Sequence, residues 1–212
     1  MLTTLITLSV AALACPHETS APAPSLIQAS LTSQDSSRSH IPYTYMELGY
    51  ASSTLNYDGN DVDLSMLGFV GALELSPNVH IFAGGGRSIE ATVDNVTVEG
   101  GQVDNWFAGI GIHQYVTPQL NGFIRVSVAG YALQADDPSI NISGHDTIYT
   151  AGVRMSIWDE WEMGASVSRA PKPSIIYEFS ALYRLTESLG LGMIYNKPEE
   201  GDSLSIGARW YF

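Results

Sequence analysis

From Tyr43 onward the chain alternates between apolar and polar residues with a period of two, in runs broken by turn-forming residues. The last run shows the pattern: Leu204, Ile206, Ala208, Trp210 and Phe212 share one parity, and Ser203, Ser205, Gly207, Arg209 and Tyr211 share the other. Side chains on a strand point alternately to its two faces, so each run predicts a strand with one oily and one polar face. Ten such segments are predicted, at about 43–56, 63–75, 79–93, 103–116, 120–134, 146–158, 161–169, 174–185, 189–197 and 203–212.

The connections alternate in character. Ser76-Pro77-Asn78, Thr117-Pro118-Gln119, Asp159-Glu160 and Thr186-Glu187-Ser188 are tight, whereas DGND, DNVTVEGGQ, QADDPSINISGHD, RAPKP and KPEEGD are mostly longer and acidic. Short turns at one end and longer loops at the other predict an all-β, antiparallel up-and-down transmembrane barrel of ten strands. An even strand number puts both termini on the short-turn side.

Face content separates a membrane barrel from a soluble one. Segment 174–185 sets Ile175, Tyr177, Phe179, Ala181, Tyr183 and Leu185 against Glu178, Ser180 and Arg184. Segment 161–169 sets Trp161, Met163, Ala165 and Val167 against Glu162, Gly164, Ser166 and Ser168; segment 146–158 sets Tyr149, Ala151, Val153, Met155 and Ile157 against Thr150, Gly152, Arg154 and Ser156. A soluble barrel is oily inside; a membrane barrel inverts this. The polar parity therefore predicts inward charges at Glu47, Glu74, Glu162 and Glu178 and at Arg125, Arg154, Arg184 and Arg209, four of each sign. Paired, they would plug a small barrel; unpaired around water, they would line a pore. VHIFAGGGR, residues 79–87, fits either parity.

Composition narrows the class. Only 15% of residues are charged, below the ~25% usual for soluble domains. Mean hydropathy is nevertheless +0.06, and no apolar stretch reaches the ~18 residues of a membrane helix. Eleven Tyr, 4 Trp and 20 Gly without a helical period suit a β protein facing lipid, and also a secreted lipocalin-like barrel. A net charge of −13 argues against nucleic acid as a partner. One cysteine permits no intramolecular disulfide. MLTTLITLSVAALAC reads as a secretion signal over 1–14, with Ala12-Leu13-Ala14 as the cleavage site; a buried N-terminal strand or helix is the other reading. Residues 15–41, rich in Ser, Pro, Ala and Thr, read as a disordered periplasmic tether before a barrel over 42–212.

Three stretches resemble known families. Cys15 after the cleavage site resembles a bacterial lipobox, with Ala12 where a Leu, Val or Ile is usual, which implies lipidation of Cys15; a spectator thiol is the alternative. SIGARWYF resembles the C-terminal signal of bacterial outer-membrane barrels, carried here by Ser205, Gly207, Trp210 and Phe212. In that family the barrel-assembly machinery reads the signal, which implies that machinery as a partner. With the YTYMELGY opening at Tyr43–Tyr50, residues 43–212 resemble the small outer-membrane barrel superfamily of OmpA-, OmpX- and opacity-like proteins, in its ten-stranded branch. The resemblance implies an outer-membrane location, periplasmic termini, and contact with lipid and lipopolysaccharide.

Few residues carry chemistry. Asp136, Asp137, His145 and Asp146 share one loop in this reading, a thin likeness to ten-stranded outer-membrane proteases, whose acidic and His–Asp pairs face each other from different loops. DGNDVD, Asp58 to Asp63, is oxygen-rich but lacks the spacing and closing Glu of an EF-hand. Gly84-Gly85-Gly86 is followed by strand-like sequence, so it is no phosphate loop. No Gly-x-Ser-x-Gly elbow and no zinc spacing occur. The expectation is a non-enzymatic outer-membrane barrel without cofactor or metal, acting structurally or through acidic loops on an extracellular ligand. A narrow passive channel is the alternative, and a mouth-located hydrolase a distant third.

Overall fold

The structure, a computed structural model, describes residues 41–57, 60–93, 96–97, 102–134, 142–158, 160–170, 175–199 and 201–212. Among these, ten long strands form one sheet: β1 Tyr45–Tyr57, β2 Asn60–Ser76, β3 Val79–Val93, β5 Gln102–Tyr115, β6 Leu120–Gln134, β7 Ile142–Ile157, β8 Trp161–Arg169, β9 Ile175–Arg184, β10 Leu189–Lys197 and β11 Asp202–Tyr211. A two-residue strand, β4 Val96–Thr97, pairs on the end of β3. Every long strand pairs antiparallel with its sequence neighbours, and β1 pairs with β11 from Tyr45↔Tyr211 to Thr54↔Asp202. The sheet thus closes on itself as an up-and-down barrel, leaving no long edge unpaired.

The wall is apolar outside. On β9, Tyr177 and Phe179 are 52% and 55% exposed, whereas Ile176 and Leu182 between the outward positions are buried. Leu204, Ile206, Trp210 and Phe212 on or beside β11, and Tyr149, Val153 and Met155 on β7, also face outward. At ~3.3 Å per residue and a tilt of about 40°, the run from Ile175 to Leu185 rises about 25 Å, the height of a bilayer-facing band. Aromatics edge the band. Trp161, Tyr183, Trp210 and Phe212 lie toward the short turns, and Tyr50, Trp106, Tyr149, Tyr177 and Tyr195 toward the loops. Beyond the loop-side aromatics the outer surface turns polar: Thr54 donates to Asp63 at 2.7 Å, and Arg87 pairs with Asp104 at 2.7 Å. That succession, polar above aromatic above aliphatic, follows the dielectric profile of a membrane interface.

The inner face fits together through size differences. A Cβ on Gly84 would meet the Phe107 ring, and one on Gly111 would meet the His80 ring and the Arg125 side chain. These glycines leave the space that large neighbours on the next strands fill, as small barrels require.

One open point is settled and two expectations change. The stretch 79–87 resolves to Ile81 outward, with His80 and Phe82 inward. The first strand begins at Tyr45, not at 43; Ile41 and Tyr43 are wholly buried. Ile41, expected to end the tether, is thus fixed against the barrel. The loop QADDPSINISGHD is shorter than expected, because β7 starts at Ile142 and takes in His145 and Asp146.

Candidate functional site

The short-turn end of the lumen is filled by the residues just before β1. The Ile41 backbone N–H donates to Tyr115 Oη at 2.6 Å, and Tyr115 Oη donates to the Ile41 carbonyl at 3.2 Å. Tyr43 Oη donates to Asn121 Oδ1 at 2.7 Å. The Tyr43 ring stacks on His113 at 3.8 Å with an 11° interplanar angle, and the Arg154 guanidinium lies 4.6 Å from its centroid. Thr44 Oγ1 accepts the Glu74 backbone N–H at 3.1 Å, which fastens the segment to β2. An aromatic ring held by a stack, a cation and a hydrogen bond is fixed in place and is not a loose end.

Beside it runs a directed chain of hydrogen bonds. Arg125 Nε donates to His80 Nε2 at 3.1 Å, so that nitrogen accepts and the His80 proton sits on Nδ1. His80 Nδ1 then donates to His113 Nδ1 at 3.1 Å, which places the His113 proton on Nε2. Each link fixes the tautomer of the next.

The ion pairs lie in the same layer. Glu162, 6% exposed, accepts from Arg154 Nε at 2.8 Å and has Arg209 Nη1 at 3.6 Å and Arg184 Nη2 at 3.7 Å. Arg209 Nη2 also holds Glu47 at 2.7 Å, across the β1–β11 seam. The Arg209 and Arg184 guanidinium groups rest against Tyr45 at 4.2 Å and Tyr211 at 5.3 Å. One carboxylate therefore gathers three guanidiniums, a second carboxylate takes part of the load, and aromatic faces take more. Glu74 lies on β2 opposite His80, at the short-turn end of the same lumen. Arg125 and Glu178 face the lumen above this layer, where a cavity of about 450 Å³ opens.

The remaining sequence candidates fall elsewhere. Ser205 and Gly207 line the inner face of β11, and Trp210 and Phe212 face outward, so the motif spans both faces of the closing strand. His145 is exposed and Asp146 half-buried, adjacent on β7 and hence on opposite faces of the wall. That placement takes His145 and Asp146 out of the loop and points their side chains to opposite sides of β7. Asp136, Asp137, Asp58 and Cys15 lie outside the described residues, whereas Asp63 faces outward on β2. Tyr43, His80 and His113 were not singled out from sequence. Their signal was one of position: His80 lies on the same parity as Phe82, and His113 on that of Phe107.

No family model and no curated protein matches the chain. Among solved structures, the KdgM porin in complex with disordered oligogalacturonate is similar over 79% of this chain and 99% of its own, at 7% identity and a TM-score of 0.46. The translocator domain of autotransporter NalP from Neisseria meningitidis is similar over 82% of this chain and 90% of its own, at 12% identity and a TM-score of 0.46. The outer membrane protease OmpT from Escherichia coli is similar over 81% of this chain and 97% of its own, at 8% identity and a TM-score of 0.45. A porin, a translocator and a protease share this likeness, so function must be argued from the lumen itself.

Proposed function

We propose that this chain is a non-enzymatic outer-membrane barrel, closed on its periplasmic side, with a structural or surface-interaction role at its loop end. The observation that carries the reading is the burial of Ile41 and Tyr43 in the lumen beside the Arg154–Glu162 pair. A channel needs a continuous water column, and here a stacked tyrosine and a cross-linked charge layer occupy its path. The apolar outer band with aromatic edges supports insertion in a bilayer, and the inverted face content speaks against a soluble barrel. The short-turn end, with both the entry to β1 and the end of β11, is the periplasmic end in this reading. The loop end is then extracellular, next to lipopolysaccharide. His145 and Asp146 on opposite faces give a hydrolase no support.

The affiliation to the opacity-like, ten-stranded branch rests on the motif resemblance, as does recognition of Ser205, Gly207, Trp210 and Phe212 by the barrel-assembly machinery. Phe212 is 80% exposed beside the closing strand, well placed for such reading. Deleting it is expected to reduce the heat-modifiable, membrane-inserted form severalfold; wild-type accumulation would refute the signal. Lipidation of Cys15 would appear as the lipid increment in the intact mass of native protein and vanish in Cys15→Ser.

The reading is tested by solute efflux from proteoliposomes carrying the refolded chain. Retention of a small sugar at the rate of empty liposomes is expected. Rapid, protein-dependent release would favour the passive channel.

A further inference from the structure

We propose that the cavity above the charged floor binds a small zwitterion with an apolar side group, the chemistry of a hydrophobic amino acid or a short apolar peptide. The inference takes the closed floor as given and adds an occupant for the space above it.

The cavity is sized and shaped for such a ligand. Its volume of about 450 Å³ lies within the ~300–1,000 Å³ of small-molecule sites. From β2, β3, β5 and β6 the wall brings Leu64, Met66, Phe82, Val103, Phe107 and Phe123, with Asn105 and Ser127 among them. From β8 to β11 it brings hydroxyls and an amide, at Ser166, Ser168, Ser180, Asn196 and Ser203, beside Ile176 and Ile194.

Two charges give the site its polarity. Glu47, Arg154, Glu162 and Arg209 also border the cavity, but each is spent in an ion pair of the floor. Arg125 and Glu178 differ: among the described residues, neither has an oppositely charged side chain within the 4.0 Å of an ion pair. Arg125 spends Nε on His80 and lies 4.5 Å from the Phe123 centroid and 5.2 Å from that of Phe82, which fixes its plane and leaves its terminal nitrogens for a ligand. Glu178 stands in the ladder between Ser166 on β8, whose side chain hydrogen-bonds it, and Asn196 on β10. Arg125 on β6 and Glu178 on β9 are three strands apart around the wall and attract each other across the lumen without an ion-pair contact. A carboxylate on Arg125 and an ammonium on Glu178 would give each the direct ionic partner that neither has from the other. An anion or a cation alone would satisfy one and leave the other. The apolar group between them would lie against the Phe82, Phe107 and Phe123 side.

Titration calorimetry on the refolded full chain in detergent tests this with the dipeptide Leu-Phe, its N-acetyl derivative and its C-terminal amide. Saturable one-to-one binding of Leu-Phe is expected, weakened at least tenfold by either blocking group. Glu178→Gln should weaken Leu-Phe to the level of the acetylated peptide and leave the acetylated peptide unaffected; Arg125→Gln should do the same with respect to the amide. Absence of saturable binding, or equal binding of the three peptides to the unmodified protein, would overturn the site. The blocked peptides need no variant, so the result stands even if Arg125→Gln fails to fold. Conductance measured on the same preparation separates the two readings: binding with a large conductance refutes the closed floor, and a closed barrel without binding refutes the site.

Discussion

Glu162 on β8 accepts the Arg154 Nε hydrogen bond at 2.8 Å from the neighbouring β7, two residues off the direct ladder pairs Ser156↔Glu162 and Arg154↔Gly164. The diagonal lets one carboxylate also reach Arg184 and Arg209, and so ties β7, β8, β9 and β11 at one level of the lumen. Removing Glu162 leaves three cations facing one another with only Glu47 nearby. Glu162→Gln is expected to cost about 3–5 kcal/mol, the range for breaking a buried pair. Replacing Arg154 and Glu162 together with Met should cost less than the two single changes summed. Urea unfolding in lipid, followed by tryptophan fluorescence, measures both; strict additivity would show that the two residues do not act as a pair.

The inner glycines make a second, steric prediction. Gly111→Ala places a methyl against the His80 ring and the Arg125 side chain, both held in place by their mutual hydrogen bond. Overpacking of this kind costs about 1–3 kcal/mol. Gly122→Ala, whose Cβ would lie 3.9 Å from Val116 Cγ2, is the control and should stay near wild type. Equal urea midpoints for the two variants would count against the close-packed lower lumen.

Wall polarity can be read chemically. A cysteine at Phe179 should react with a membrane-dissolved maleimide, and one at Glu178 should not, because the two neighbours point to opposite sides of β9. An Arg facing lipid at mid-bilayer costs about 2–4 kcal/mol, so a reversed parity would put several such costs on Arg125, Arg154, Arg184 and Arg209. Labelling at Glu178 but not at Phe179 would reverse the barrel.

The same contrast explains what could be read from the chain. Tyr177-Glu178-Phe179 declares its faces because lipid and lumen demand opposite residues. In 79–87 that contrast fails. His80 and Phe82 inside meet Ile81 and Ala83 outside, and three glycines carry no side chain, so both parities look apolar. Tyr43 keeps step with Tyr45 and reads as strand; only its hydrogen bond to Asn121 and its stack on His113 show that it leaves the wall for the lumen. His145 and Asp146 read as loop because β7 runs on past the apolar band, where water bathes both faces and alternation is no longer required. The floor charges were legible one by one from parity. Their partners were not, since pairing across β1 and β11 or diagonally from β7 to β8 depends on barrel closure and stagger.

Single-channel recording in planar bilayers tests the closed floor most directly. The unmodified chain should show a steady baseline with no open level above that of protein-free membranes. Tyr43→Ala removes the ring that stacks on His113 and lies against Arg154, and should produce discrete openings in a barrel that still shifts on heating. Large, steady conductance from the unmodified protein, unchanged by Tyr43→Ala, would contradict the stopper and make the lumen a pore.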